Sequence, residues 1–275
     1  MIGKIVLLIG MIYGSITDIK RREVPNTVNY LLIAIGLILG LSGSLLHNNW
    51  IFFLQSLAGL AVGALIGLAL FYVGQWGGGD AKMLMGVGAI LGYFFNTEIF
   101  SQPLLIFVIG TFIIGAVYGL IWMIALALKN KNKMIKEYKK NVLDKKNLYT
   151  GFLLLILNII LVIALYLFVP INTSSLILVA TILILGSLFI LFLSEFVKAV
   201  EKEALIKKIA VSKLVEGDWI LTTTYKGQKL DINSNGITQK QINKLKSLGV
   251  KKVTVREGIP FIPSFLITYI ILLFI

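Results

Sequence analysis

The chain is a succession of long apolar runs separated by short polar breaks. The runs are Ile5–Thr17, Thr27–Leu46, Ile51–Gly74, Met83–Phe95, Leu104–Leu128, Tyr149–Val169, Ser175–Val197 and Phe261–Ile275, eight in all. A helix that crosses a bilayer needs about 20 apolar residues to cover about 30 Å of hydrocarbon. The pattern therefore predicts an all-α polytopic membrane protein with about eight transmembrane helices. The first run could pass for a signal peptide, but its charges follow the apolar stretch and no small-residue cleavage site comes after it. The last run has the shortest reach, about 22 Å as a helix, and contains Pro263. Glycines recur at every fourth position at Gly59, Gly63 and Gly67, and again at Gly115 and Gly119. That spacing lets neighbouring helices approach closely.

Only one polar stretch, Lys198–Pro260, is long enough to build structure of its own. Within it, Trp219–Thr224 reads as a strand and Thr238 as the N-cap of a helix over QKQINKLKSL. Gly249 is placed to end that helix, and Lys252–Arg256 reads as a second strand. The expected organisation is a seven-span catalytic membrane domain over 1–197, with a basic cytoplasmic loop at 129–148. A small cytoplasmic α+β module over 198–260 and a short C-terminal membrane segment over 261–275 follow.

Charge sharpens this picture. Hydrophobic residues make up 57% of the chain and charged residues 14%, against about 25% charged in ordinary soluble domains. An ordinary soluble enzyme is thereby excluded. The chain holds 26 Lys and Arg against 13 Asp and Glu, a formal +13. If successive runs cross the membrane, 25 of the 26 basic residues fall in the loops of one side and only Lys4 on the other. The positive-inside rule then puts the N-terminus outside and the basic loops in the cytoplasm, at the cell (plasma) membrane. The Lys129–Lys146 run reads as a face for membrane lipid headgroups. No nucleic-acid motif is present.

The absence of cysteine and the single histidine, His47, remove thiol nucleophiles, iron–sulfur clusters, disulfides and His-based zinc sites from consideration. No cofactor and no metal are called for. Acid–base chemistry would fall on carboxylates. Two press against the ends of apolar runs, Asp18 and Asp80, and both lie on the side read as cytoplasmic. Asp80 follows Gly77, Gly78 and Gly79 directly. Three glycines break a helix and admit close backbone approach, and broken backbone at membrane depth belongs where it is buried in protein or lines a hydrated cavity. Plainer readings stand beside this one: a hairpin turn with Asp80 as a helix cap, and an Asp18 that pairs with Arg21 or Arg22 at the surface. Two converging carboxylates could share one proton. One would activate water as a base while the other protonates a carbonyl oxygen.

The stretches that hold these two residues resemble the signatures of a known family. DIKRREVPN (18–26) resembles the first motif of the type IV prepilin peptidases, an Asp followed by basic residues and Val-Pro-Asn. GGGDAKMLMGVGAILG (77–92) resembles their second, the GxGD motif followed by Ala-Lys and a glycine-rich helix. The resemblance implies that Asp18 and Asp80 are the catalytic pair, with Gly77, Gly79, Lys82, Arg22, Pro25 and Asn26 shaping the site. It implies an intramembrane aspartic endopeptidase that removes the short basic leader of prepilin or preflagellin (archaellin) precursors. Many bacterial members also carry a cysteine-rich segment and methylate the new N-terminus. This chain has no cysteine, which speaks against methyltransferase activity, and its soluble segment before the final IPFIPSF stretch looks more like the archaeal members.

The alternative from another class is an ion- or proton-coupled transporter that uses Asp18 and Asp80 as ligands. The sequence shows no inverted repeat in its favour. A non-catalytic anchor for the 198–260 module would leave the glycine run without a purpose. GLSG at Gly40–Gly43 shares letters with a serine-protease motif, but its small residues read as helix packing. Glu195, near a span end, reads as interfacial.

Overall fold

The computed structural model describes residues 2–95, 97–170, 172–221, 224–225, 228–229 and 236–274. Among the described residues, six helices are long and apolar enough to cross a membrane. They are α1 (Ile2–Arg21), α2 (Asn26–Leu46), α3 (Ile51–Tyr72), α5 (Pro103–Lys129), α7 (Lys145–Phe168) and α8 (Thr173–Val200), the last continued by a π-helical turn to Leu205. The other two apolar runs form shorter helices, α4 (Gly78–Leu91) and α10 (Ile262–Phe274), of 14 and 13 residues. At the standard rise these span only about 20 Å. The architecture is a polytopic, mostly helical membrane protein carrying a small sheet.

Several boundaries differ from the sequence reading. The expected span Met83–Phe95 is shifted back, so that α4 opens within the glycine run and stops at Gly92, whose φ is +74°. The basic stretch after Lys129 is a helix, α6 (Lys131–Val142). Met134 and Tyr138, one turn apart, give it an apolar stripe that packs against Ala199 and Val200.

Contacts divide the chain into two compact units, Met1–Trp122 with Lys207–Ile275, and Met123–Ile206. In the first, α3 lies on α4 through its glycines. A Cβ on Gly63 would stand 2.7 Å from the Leu84 carbonyl oxygen, and one on Gly67 2.9 Å from that of Ala81. On Gly59 it would overlap the Gly88 carbonyl. On α2, a Cβ at Gly36 would meet Ala89 at 2.7 Å. The Ser56 hydroxyl joins all three helices, 2.5 Å from the Ala89 carbonyl and 2.9 Å from that of Gly36. The GLSG stretch belongs to the same packing, since a Cβ on Gly40 would meet Ser56, while His47 packs at a tilt on Phe52. α10 runs antiparallel to α1: Ile262, at its start, meets Asp18, and the Tyr269 hydroxyl donates to the Lys4 carbonyl (3.0 Å). Leu7, Met11, Met83, Leu84, Phe107, Phe265 and Tyr269 fill the core.

The polar region of this unit forms a three-stranded sheet ordered β1 (Ile206–Ala210), β5 (Lys252–Arg256), β2 (Trp219–Ile220). β2 pairs antiparallel with β5, Trp219 opposite Arg256. The expected helix is α9 (Gln239–Ser247), with Thr238 and Gln241 forming a capping box and Gly249 left-handed at φ +69°. The expected strand over 219–224 is shorter. A separate two-residue ladder joins β3 (Thr224–Tyr225) to β4 (Gln228–Lys229), and Thr222 and Thr223 lie outside the described residues. β1 was not expected: its Lys207 and Lys208 interrupt any alternation.

The second unit pairs α7 with α8, joined through Asn158, whose amide donates to the Ser187 hydroxyl (2.8 Å). Glu195 is buried and accepts from Lys198 at 2.6 Å. It lines a cavity of about 290 Å³ with Leu148, Phe152, Leu188 and Phe192.

Candidate active site

Asp18 sits in the last turn of α1, buried. It accepts a hydrogen bond from the Ile262 backbone N–H at 3.0 Å. Ile262 opens α10, and the first N–H groups of a helix have no partner within it. Pro263, in that first turn, has no N–H to lose there. Asp18 therefore caps α10 from 244 residues away, and the positive end of that helix faces its carboxylate.

Asp80 is the third residue of α4, and its Oδ2 accepts from the Gly77 N–H at 2.9 Å. It caps its own helix, as the plainer reading expected. Its charge also interacts with that of Asp18. The structure thus brings the two carboxylates into electrostatic range, one in the last turn of a helix and one in the first.

The two sequence motifs form one body around them. Lys82 donates to the Asn26 side chain (2.7 Å) and lies over the Tyr30 ring. Asn29 donates to the Gly79 carbonyl (3.4 Å). A Cβ on Gly79 would come within 3.3 Å of Val24, which is buried. Pro25 is the N-cap of α2 and leaves its carbonyl to the amide of Val28. None of Gly77, Gly78 and Gly79 has a positive φ, so the run supplies room rather than a left-handed bend. At Gly77 a Cβ would make only an ordinary contact, 3.4 Å from Asp80 Oδ2.

Arg22 does have a positive φ, +58°. Its amide bonds back to the Asp18 carbonyl at 2.8 Å, which ends α1. For a residue with a Cβ this conformation costs about 1–2 kcal/mol. The guanidinium is held over the Trp122 ring, 5.0 Å from its centroid, and its charge reaches Asp18.

Sequence reasoning missed the start of α10, the buried Val24, and Tyr118 and Trp122 of α5. A signal for the first existed: a proline just inside a late apolar run marks a helix start whose N–H groups seek an acceptor. Glu195 belongs to the second unit and is paired there. Glu257, at the end of the sheet region, is bound to Lys207 at 2.7 Å.

Comparison with known proteins bears on the same region. Residues 5–120 match the model of the type IV leader peptidase family, the likeness read from the two motifs. The preflagellin peptidase of Methanococcus voltae is 33% identical over 150 residues, which is 50% of this chain and 64% of that protein. That of Methanocaldococcus jannaschii is 36% identical over 91 residues, 33% of this chain and 38% of its own. A prepilin peptidase of Methanothermobacter thermautotrophicus is 32% identical over 89 residues, 32% of this chain and 23% of its own. The aligned part of the chain covers less than two thirds of each of these curated relatives.

Proposed function

We propose that this chain is an aspartic endopeptidase of the leader-peptidase kind. It cuts prepilin-like or preflagellin precursors between a short basic leader and the apolar helix that follows. The observation that supports this reading is that Asp18 and Asp80 lie within electrostatic range of each other, on two motifs that lock through Lys82 and Asn26. Either motif alone would explain a cap or a turn. Together they bring two carboxyls from different helices into electrostatic range.

In the proposed reaction one carboxylate takes a proton from water as the water oxygen bonds to the scissile carbonyl carbon. The other carboxyl, protonated, donates to the carbonyl oxygen. The proton gained by the first then passes to the amide nitrogen as the C–N bond breaks, and the second carboxylate takes a proton back from the gem-diol as the new carboxyl forms. Metal, thiol and imidazole have no part in these steps. Gly77, Gly79, Arg22, Pro25 and Asn26 shape the site. The module over 198–260 is cytoplasmic, the N-terminus is outside, and no methyl transfer accompanies the cut. The leader is held near anionic lipid, and a small residue, Gly, precedes the scissile bond.

The test is cleavage of a purified precursor by the full chain in nanodiscs of anionic lipid. Unsubstituted protein is expected to release the leader, and Asp18→Asn and Asp80→Asn to release it at least about 100-fold more slowly while inserting normally. Cleavage by either variant at the unsubstituted rate would remove that residue from the mechanism. The chain has no cysteine, so single cysteines introduced at Asn49 and Lys133 report orientation directly. Labelling of Lys133→Cys from outside intact cells would reverse the proposed topology.

A further inference from the structure

Beside the carboxylates stands a wall that the acid–base scheme does not use. On α5, Gly115, Tyr118 and Trp122 follow at spacings of three and four, one stripe of the helix. Gly115 marks where the stripe points, since a Cβ there would strike the Phe261 ring at 2.6 Å. Phe261 directly precedes Ile262, the residue that binds Asp18. Tyr118 lies in electrostatic range of Asp18 and Arg22. Its ring packs on Trp122, centroids 5.9 Å apart, and Arg22 covers the Trp122 ring.

Both polar atoms of this pair are buried without a hydrogen-bond partner among the described residues: the Tyr118 hydroxyl and the Trp122 indole N–H. A buried donor left unpaired is costly, and most buried polar groups are paired. The indole N–H can only donate, and the phenol O–H donates readily. Their natural complement is an acceptor. Basic side chains offer none, so the Lys or Arg of a leader cannot fill the role. Backbone carbonyls can, provided they are not already spent on helix hydrogen bonds. The part of a substrate that meets this condition is the segment around the scissile amide, which must leave the helix to be attacked.

We propose that Tyr118 and Trp122 bind the unwound main chain of the substrate next to the cut, each donating to a substrate carbonyl, with Arg22 bracing the Trp122 ring. The inference rests on the peptidase reading. The two are positioning residues: they hold the peptide, and the carboxylates do the chemistry. The left-handed Arg22 fits this role, because its strained backbone places the guanidinium on the wall.

The experiment uses the full chain in nanodiscs of phosphatidylglycerol and phosphatidylcholine. The probe is a synthetic peptide with a Lys-rich leader, a Gly and an apolar helix. Tyr118→Phe and Trp122→Phe each delete one donor and keep a ring. Each is expected to raise KM about threefold to tenfold, the worth of one hydrogen bond, with kcat nearly unchanged. A second readout needs no cleavage: in Asp80→Asn, the indole ¹⁵N–H resonance of Trp122 should shift downfield as the peptide is added. Normal KM in both variants would overturn the wall and leave the peptidase reading intact. If the unsubstituted chain cleaves nothing, that reading falls, and the indole titration still decides: a shift supports peptide binding here, and no shift overturns it. A substitution that disturbs folding is recognised by a lowered Tm, and the same titration then decides whether the peptide binds at Trp122.

Discussion

The α2–α4 cluster and the α7–α8 pair are both built of apolar helices, yet they pack by opposite means. In the first, Gly36, Gly59, Gly63 and Gly67 bring backbone onto backbone, with carbonyls where side chains would otherwise stand. In the second, Gly186 has nothing within 4 Å of its Cβ position, one Asn–Ser hydrogen bond crosses the pair, and a cavity remains. Lipid tails are as apolar as leucine, so helices in a bilayer are held by close packing and hydrogen bonds. Tight packing thus coincides with the helices that carry Asp80 and the second motif. The looser pair has no comparable geometry to defend. The units they belong to each bury a carboxylate, Asp18 at the end of α1 and Glu195 on α8, but with different partners. Asp18 accepts from a backbone amide and lies in electrostatic range of a second acid, whereas Glu195 accepts from a lysine.

The sharpest way to break the comparison is to neutralise the acids in parallel. Asp18→Asn or Asp80→Asn should lower the rate of precursor cleavage by about 10²–10⁴-fold, the usual worth of a general acid or base. Glu195→Gln should leave it unchanged, since its carboxylate is already satisfied by Lys198. A Glu195→Gln variant as inactive as the other two would mean that the second unit also contributes chemistry.

Next in size is the packing itself. Gly59→Ala forces a methyl onto the Gly88 carbonyl and should destabilise the protein by about 1–3 kcal/mol, the cost of overpacking. Gly186→Ala enters open space on α8 and should be neutral or gain up to about 1 kcal/mol from helix propensity. Thermal unfolding of the two variants in the same detergent measures the contrast. Equal Tm values would show that the glycine contacts do not hold the cluster.

How much of this was legible follows from the range of the forces involved. Asp18 and Asp80 stood out because each lies where an apolar run meets a break, and both the break and the charge are local. The Thr238 cap and Gly249 stop were legible for the same reason, as each acts within one turn. The bond from Ile262 to Asp18 was not, because no local pattern joins residues 244 apart. Tyr118 and Trp122 looked like ordinary span residues, since only the tertiary fold places their stripe beside Phe261. α4 was misplaced because hydropathy sees Tyr93 to Phe95 as apolar. The left-handed Gly92 ends the helix before them, and the Tyr93 amide goes to the Gln55 carbonyl instead.

The smallest effect expected lies in the sheet region, away from the helices. Asp218 accepts from the Val215 N–H (2.9 Å), and burial pushes its carboxyl above the ordinary carboxylate range. The folded state then holds the proton more tightly than the unfolded one. The stability it contributes is present at low pH and lost as pH rises through the folded pKa. Asp218→Asn, which keeps an acceptor, should raise Tm slightly at pH 8 and leave it unchanged at pH 3. A rise of equal size at both pH values would assign the effect to something other than ionisation.

The shortness of α4 and α10 reaches beyond the protein into its solvent. Both helices begin at the candidate site, one at the glycine run and one at Ile262, and neither covers more than about 21 Å. Surrounding hydrocarbon of about 30 Å is mismatched to them, and the bilayer yields by thinning, at fractions of a kcal/mol per Å. Thinning of this kind draws lipid headgroups and water down toward the level of the helix starts, which under the proposed function would give water a path to Asp18 and Asp80. The same deformation ranks host membranes: short-chain lipids already fit this dent, whereas long-chain lipids must bend to make it.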